Sequence, residues 1–364
     1  MFGDKSNYKL TIRQVYISSV KDPSTSEEYA IFAQILRCMK MRLTFYGVIL
    51  FVVAMGMHML CALLLLILKT TSGAELYPVF QTILENTLLF TISGLFLGVA
   101  MVLFELLYIK KDNRIVQNNP VSSDEKLTVV LTAYNDELSI RDAVRDFRAH
   151  PRVKRVIVIS NNSKDRTMEF AAEEGATAYN ETLQGYGACV YRALTEGINQ
   201  TDTTLTLLCE GDCTFRAHDI DKFLAYLPHA DIVNGSRIVE QLRTGGSQLT
   251  TFMYYGNFFV GKLLEFKHVE QGTLTDVGTT YKLCRNDALK KLLPQLSPKV
   301  NLEFNPYLLD TALEMKMKIV ECPITFYPRV GVSKGGNKNN RVAMNLGLRM
   351  MFGLIFSWKA LKMR

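Results

Sequence analysis

Two stretches near the start of the chain are apolar without a break, while the remainder alternates short apolar runs with polar ones. Leu43 to Leu68 contains no Asp, Glu, Lys or Arg, and it exceeds the ~20 residues that a helix needs to cross a bilayer. Thr87 to Phe104 is a second uncharged run, flanked by Glu85 and Glu105. The polar stretch Lys69 to Pro78 lies between them, so the pattern predicts a transmembrane hairpin over residues 43–110. The first run starts too late and is too long to be the core of a signal peptide. Its one ionisable residue, His58, is expected to pack against the other helix, as polar groups in membrane helix pairs do.

After a polar linker containing Asn118-Asn119-Pro120, the period changes. Strands are predicted at Leu127–Ala133, Val153–Ser160, Thr204–Cys209 and Ala230–Asn234. Helices are predicted at Leu138–Ala149, Thr167–Glu174, Gly187–Gly197 and Ala217–Leu227. This alternation implies an α/β domain with a mostly parallel sheet covered by helices. Ligands of such sheets bind at the carboxyl ends of the strands. Polar and acidic residues follow all four strands: Ala133 to Glu137, Ser160 to Thr167, Glu210-Gly-Asp212 and Gly235-Ser-Arg237. One such loop would merely supply helix caps. Four at one sheet edge point to a binding site. Glu210 and Asp212, one residue apart, suit a hard divalent cation that also takes phosphate oxygens and water.

Composition and charge narrow the class. With 48% apolar and 21% charged residues, the chain is neither disordered nor a polytopic transporter. There are 42 basic and 35 acidic residues, a net charge of +7. Gly331 to Arg364 holds seven basic residues and no acid, so this segment equals the whole excess. It is also rich in Leu, Met, Phe and Ile, which points to a membrane surface rather than nucleic acid. On a helical period Arg341, Asn345, Arg349, Lys359 and Lys362 share one stripe, the pattern of an amphipathic helix lying in the membrane plane. Arg37, Lys40 and Arg42 precede the hairpin, and Lys110, Lys111 and Arg114 follow it. The positive-inside rule then places both ends in the cytosol. Seven scattered cysteines without CxxC pairs indicate neither a disulfide framework nor a zinc site. Four Asn-x-Ser/Thr patterns, at Asn161, Asn180, Asn199 and Asn234, argue against a lumenal domain, because two of them fall in the strand-end loops.

The segment from about Leu127 to Gly335 resembles family 2 glycosyltransferases of the GT-A fold. Within that family it is most similar to the polyprenyl-phosphate glycosyltransferases, the group of dolichyl-phosphate mannose and glucose synthases. The matching stretches are Thr132–Asp136, Ser160–Thr167, Gly185–Ala188, Glu210–Asp212, Gly235–Arg237, Thr275–Tyr281 and Arg329–Lys334. The resemblance implies a Rossmann-like GT-A domain over 126–330 that binds a nucleotide sugar. Residues 1–42 precede the hairpin, and 331–364 form a membrane-associated tail. It also implies a UDP- or GDP-sugar donor, a Mg or Mn ion and a polyprenyl phosphate acceptor. Ala133, Tyr134, Asp136 and Asn161 would line the nucleotide pocket, and Arg237 would meet the leaving diphosphate. Glu210 and Asp212 would hold the metal. Arg329, Ser333 and Lys334 would bind the acceptor phosphate. Arg329 and Asp276 would flank the reacting centre, Asp276 either as a base or as a loop anchor. The family often has Pro at the position of Ala133, Asp-Asp at Ser160-Asn161, Asp at Glu210 and Gln at Thr214. A glycolipid or lipid-linked saccharide acceptor, or a non-catalytic membrane-anchored protein, are the competing readings. A homo-oligomer is compatible with all of them.

Overall fold

The computed structural model describes residues 43–70, 77–108, 119–122, 124–245, 249–269, 271–331 and 340–358. The chain forms two compact units, one up to Asp112 and one from Asn113 onward. Residues 1–42, Ser333 and Lys334 lie outside the described residues.

The first unit is a helical pair. Helix α1 spans Leu43–Thr70 and α2 spans Tyr77–Tyr108. Each contains an apolar stretch long enough to cross a membrane, Thr44–Leu68 and Gln81–Phe104. The second helix begins well before Thr87, because Gln81 and Glu85 continue the helical pattern. Glycines let the backbones meet: a Cβ on Gly98 would lie 2.9 Å from the Gly47 carbonyl oxygen. His58 Nδ1 lies 3.2 Å from Thr87 Oγ1, and the Thr91 hydroxyl donates to the Ala54 carbonyl at 3.1 Å. With no water in a bilayer core, polar groups find partners within the pair. The outward faces carry exposed side chains such as Met59, Leu89 and Phe96.

The second unit is a seven-stranded sheet. Its strands are β1 (Leu127–Ala133), β2 (Val153–Ser160), β3 (Thr177–Asn180), β4 (Leu205–Glu210), β5 (Ile232–Ser236), β6 (Lys282–Arg285) and β7 (Ile319–Pro323). Their spatial order is β3-β2-β1-β4-β6-β5-β7. All pairings are parallel except those of β6 with β4 and β5. The first two strands have the boundaries expected from the apolar runs. The short strands β3, β6 and β7 were not visible in the pattern. Helices α3 (Ile140–Ala149), α4 (Thr167–Glu173), α5 (Tyr186–Ile198) and α6 (Ile220–Tyr226) alternate with the strands. They are followed by α7 (Thr251–Lys267), α8 (Asn286–Leu292), α9 (Phe304–Glu314) and α10 (Asn340–Ile355).

Side chains alternate across the sheet. Val130, Ile157, Ile159 and Leu208 pack with α5, α8 and α9 on one face. Val129, Leu131, Val158 and Leu207 pack with α3 and α6 on the other. Burial of both faces explains why β1 reads as a continuous apolar run.

The C-terminal helix differs from expectation. Met350, Gly353 and Leu354 of α10 are buried, and the helix packs against α7 and α9. Its apolar sector therefore faces the domain. The outward side mixes Arg341 and Arg349 with Met344, Leu348 and Phe352. The helix is assigned to Ile355, and Lys359 and Lys362 lie outside the described residues. The Trp358 ring folds back against Gly353. Its Nε1 donates to Asp310 at 2.5 Å.

Candidate functional site

Because every strand except β6 runs the same way, the ends of β1, β2, β4 and β5 share one edge. The residues immediately preceding α3 and α4 make no side-chain capping bond, and one loop residue, Asp165, accepts from the first N–H of α4 at 3.1 Å. The loops also bind one another. Asn135 N–H donates to Ser163 Oγ at 2.9 Å, and Lys164 N–H donates to Asn135 Oδ1 at 2.7 Å. Asp136 N–H donates to Thr167 Oγ1 at 2.8 Å. Asn135, Asn162 and Cys213 all have positive φ, at 52°, 57° and 63°. Such backbone is costly for residues other than glycine and clusters at functional sites.

Within the first loop, Ala133 is buried and Tyr134 is exposed. Asp136 is 6% exposed, and its Oδ2 accepts from Tyr134 N–H at 2.9 Å. Asn161 is also buried, and its amide holds the neighbouring loop. It donates to the Glu181 and Leu183 carbonyls at 3.0 and 2.8 Å, and accepts from Gly185 N–H at 2.8 Å. Its amide is fully occupied by this loop, with Gln184 Nε2 also donating to Oδ1 at 3.1 Å.

The β4 loop carries the two acids. Gly211 N–H donates to Thr132 O at 2.9 Å, which locks this loop beside β1. Glu210 Oε1 accepts from Thr280 Oγ1 at 2.6 Å. Asn305 Nδ2 donates to Tyr186 Oη at 2.8 Å, and Tyr186 Oη lies 2.5 Å from Thr280 Oγ1. Asp212 Oδ1 accepts from Thr214 N–H and Oγ1 at 3.0 and 2.6 Å. Its other oxygen, Oδ2, is buried without a hydrogen bond. Burial and the neighbouring Asp212 charge raise the Glu210 carboxyl above the ordinary range, against the lowering effects of Thr280 and Arg329.

Arg329 reaches this group from the segment after β7. Its Nη1 lies 2.7 Å from Asp212 Oδ2 and 3.8 Å from Glu210 Oε2. Its Nη2 donates to Asp136 Oδ1 at 3.0 Å. Val330 N–H donates to the Asp212 carbonyl at 3.1 Å, which fixes the segment's path. Burial opposes the guanidinium charge, but the three carboxylates outweigh it and raise its pKa. The sequence reading separated these residues into donor, metal and acceptor sites; the structure joins them.

Asp276 and Arg237 form a second buried pair. Arg237 donates from its backbone N–H, Nε and Nη2 to Asp276 at 2.9, 2.7 and 2.8 Å. Gly278 N–H and Asn257 Nδ2 also donate to Asp276. Burial alone would raise this carboxyl, but Arg237 and the other donors hold it below its ordinary value. A proton acceptor needs a free lone pair and a raised pKa. In this arrangement the Asp276 carboxylate is taken up by Arg237, Asn257 and Gly278. Arg237 in turn is held by Asp276 rather than extended toward a diphosphate.

Among the described residues no three His, Cys, Asp or Glu side chains converge to hold a metal. Glu210 and Asp212 nonetheless suit a divalent cation in part. They present hard oxygens at one point, and one of these, Asp212 Oδ2, is buried without a hydrogen bond. Phosphate oxygens and water would complete the shell. Thr280, Tyr186 and Asn305, which orient Glu210, received no role from the sequence. Tyr186 and Thr280 were marked only by their place in the Gly185 and Thr275 motif stretches, and nothing in the sequence marked Asn305.

Residues 128–293 match the family described as Glycosyl transferase family 2. A dolichyl-phosphate hexose transferase of Haloferax volcanii is 26% identical over 211 residues, covering 58% of this chain and 86% of that protein. The low-salt glycan biosynthesis hexosyltransferase Agl6 of the same organism is 26% identical, covering 56% of this chain and 48% of that protein. Glucosyl-3-phosphoglycerate synthase from Mycobacterium tuberculosis, crystallised with Mg2+ and uridine-diphosphate, aligns with a TM-score of 0.48 and 14% identity. That alignment covers 64% of this chain and 80% of that one. The matched residues 128–293 cover β1 to β6 of the mixed α/β sheet, so the likeness to family 2 glycosyltransferases lies in the second unit.

Proposed function

We propose that this membrane-bound glycosyltransferase moves a sugar from a UDP- or GDP-sugar to a polyprenyl phosphate, with inversion, at the cytosolic face of the membrane. The observation that carries the reading is the convergence of Asp136, Glu210, Asp212 and Arg329 at the strand ends. Acids and a guanidinium at one point suit a reaction in which both substrates are phosphates. A Mg2+ or Mn2+ ion held by Glu210, Asp212 and the donor diphosphate would neutralise charge on the leaving group. Ala133, Tyr134 and Asp136 line the donor side. Arg329, with Ser333 and Lys334, would grip the acceptor phosphate.

The state of Asp276 bears on the acceptor. A sugar hydroxyl needs a general base, whereas a phosphate oxygen is already anionic, so catalysis is mostly positioning and charge stabilisation. With Asp276 committed to Arg237, the phosphate acceptor is the better match. The relative named for dolichyl phosphate supports the same choice. Membrane placement is supported by the two apolar helices and by exposed Phe252, Tyr255, Phe259, Leu348 and Phe352 on α7 and α10. The positive charge flanking the hairpin supports the cytosolic orientation.

The test is to incubate the purified protein with a panel of sugar nucleotides, Mg2+ or Mn2+, and undecaprenyl phosphate, followed by mass spectrometry. The expected product is a glycosylated lipid phosphate from one donor. Donor hydrolysis without lipid product would move the acceptor to a glycolipid. Absence of nucleotide binding would favour a non-catalytic protein.

A further inference from the structure

Arg329 stands where a cation would have to bind. Its Nη1 contacts Asp212 Oδ2 at 2.7 Å and faces Glu210 Oε2 at 3.8 Å, while Nη2 is tied to Asp136 at 3.0 Å. A metal ion bonded to Asp212 Oδ2 and Glu210 cannot share that space with the guanidinium. Three carboxylates this close repel one another unless a positive charge lies among them, and without a metal Arg329 supplies that charge.

The fit is imperfect in an informative way. Asp212 Oδ2 makes no hydrogen bond despite the short ion pair, and Arg329 Nε is buried without a partner. A planar guanidinium donates along fixed directions, whereas a spherical ion has no such directional demand. The site therefore holds its arginine by charge more than by hydrogen-bond geometry, and a divalent ion can replace it. Val330 N–H donates to the Asp212 carbonyl at 3.1 Å, so the backbone beside Arg329 is tied to the same loop as the acid.

We propose that Arg329 is a displaceable counter-cation: its guanidinium takes the same Asp212 and Glu210 oxygens that would hold a divalent ion, and it would be released from them when such an ion binds with the donor diphosphate. The freed guanidinium then becomes available to the anionic acceptor. Donor binding thus precedes acceptor capture, which protects the sugar nucleotide from reaction in a half-formed site. This inference rests on the reading of Glu210 and Asp212 as cation ligands.

The experiment titrates the full chain in detergent with Mn2+, reading free Mn2+ by electron paramagnetic resonance, with no acceptor or turnover. The variants Arg329→Gln and Asp136→Asn are compared with the wild type, and circular dichroism checks their fold. Removing the competitor in Arg329→Gln is expected to tighten Mn2+ binding by about tenfold, in line with one lost competing ion pair. Asp136→Asn separates competition from simple charge. It removes a negative charge, which by field alone weakens cation binding, but it also removes the anchor that holds Arg329 in place. Displacement predicts binding about threefold tighter.

Equal or weaker binding in Asp136→Asn overturns the displacement, as does weaker binding in Arg329→Gln. A wild type that binds UDP with Mn2+ while failing these comparisons keeps the donor site and loses only this inference. A wild type that binds no Mn2+ even with UDP overturns both.

Discussion

Of the aspartates that the domain buries beside cations, Asp310 on α9 and Asp212 after β4 are treated differently. Asp310 is fully satisfied. Lys267 Nζ donates to its Oδ2 at 2.7 Å, His268 Nε2 lies 2.6 Å from its Oδ1, and Trp358 Nε1 donates to Oδ2 at 2.5 Å. Burial alone would raise this carboxyl, but His268 and Lys267 hold it below its ordinary value. The cluster ties the end of α7, the middle of α9 and the residue following α10 into one core. Asp212 has one oxygen satisfied by its own loop and the other facing an ill-fitting arginine. A completed buried network rigidifies, whereas an incomplete one is available for exchange with a ligand. The same residue type is fully satisfied in one place and left with an ill-fitting partner in the other, and the difference lies in the donors around it.

Variants at the two aspartates should separate these roles. Asp310→Ala leaves the buried Lys267 only the more distant Glu314, 3.6 Å away, and strips His268 and Trp358 of their acceptor, so it is expected to cost about 3–5 kcal/mol. Denaturant unfolding of the full chain measures the loss, and early proteolysis near α10 should accompany it. The pH dependence has a definite sign. Because the folded pKa of Asp310 is depressed, its stabilisation is complete above the ordinary aspartate value near 3.8. It fades as pH falls below that value and through the folded pKa. The alanine variant should therefore show a shallower acid transition than the wild type.

Asp212→Asn should reverse the balance between stability and activity. Sugar transfer is expected to fall at least ~100-fold, as for loss of a group that stabilises transition-state charge. Stability should change by less than about 1 kcal/mol, because the lost ion pair was poorly aligned and Asp136 still pairs with Arg329. A large loss of stability here would erase the distinction between the two aspartates.

Smaller changes sharpen the contrast. Trp358→Phe removes one donor from Asp310 but keeps the ring against Tyr307, whose centroid is 5.4 Å away. The expected cost is about 1–2 kcal/mol, with transfer activity retained. Thr280→Val leaves Glu210 without the hydroxyl that orients it. The expected result is a several-fold weaker response to Mg2+ at unchanged thermal stability, read by the metal dependence of the initial rate.

Much of the architecture was legible because its signals are local. The uncharged runs mark α1 and α2, since a charge there would have no water to meet. The continuous apolar runs mark β1 and β2, since both faces of the sheet are covered. Glu210 and Asp212 were legible because they follow a strand directly in a sheet whose ends gather ligands. The strand β6 was not legible: Lys282 to Arg285 is short and carries two basic residues, and it is a strand only because β4 and β5 flank it. That the apolar sector of α10, expected to lie on a membrane, is covered in part by α7 and α9 was not legible for a related reason. Helical periodicity identifies an apolar sector but cannot say whether protein or membrane covers it.

The amino-acid order by itself determined the two apolar helices, the α/β alternation and the acids at the strand ends, because these depend on period, length and nearest neighbours along the chain. Tertiary structure alone decided the partners of those acids. Arg329 is remote in sequence from Asp136 and Asp212, and Asp276 could equally have been free or paired. Charge acts through space at a few ångströms, so the path of the segment after β7 and the turn before β6 set which carboxylate is locked and which stays open to exchange.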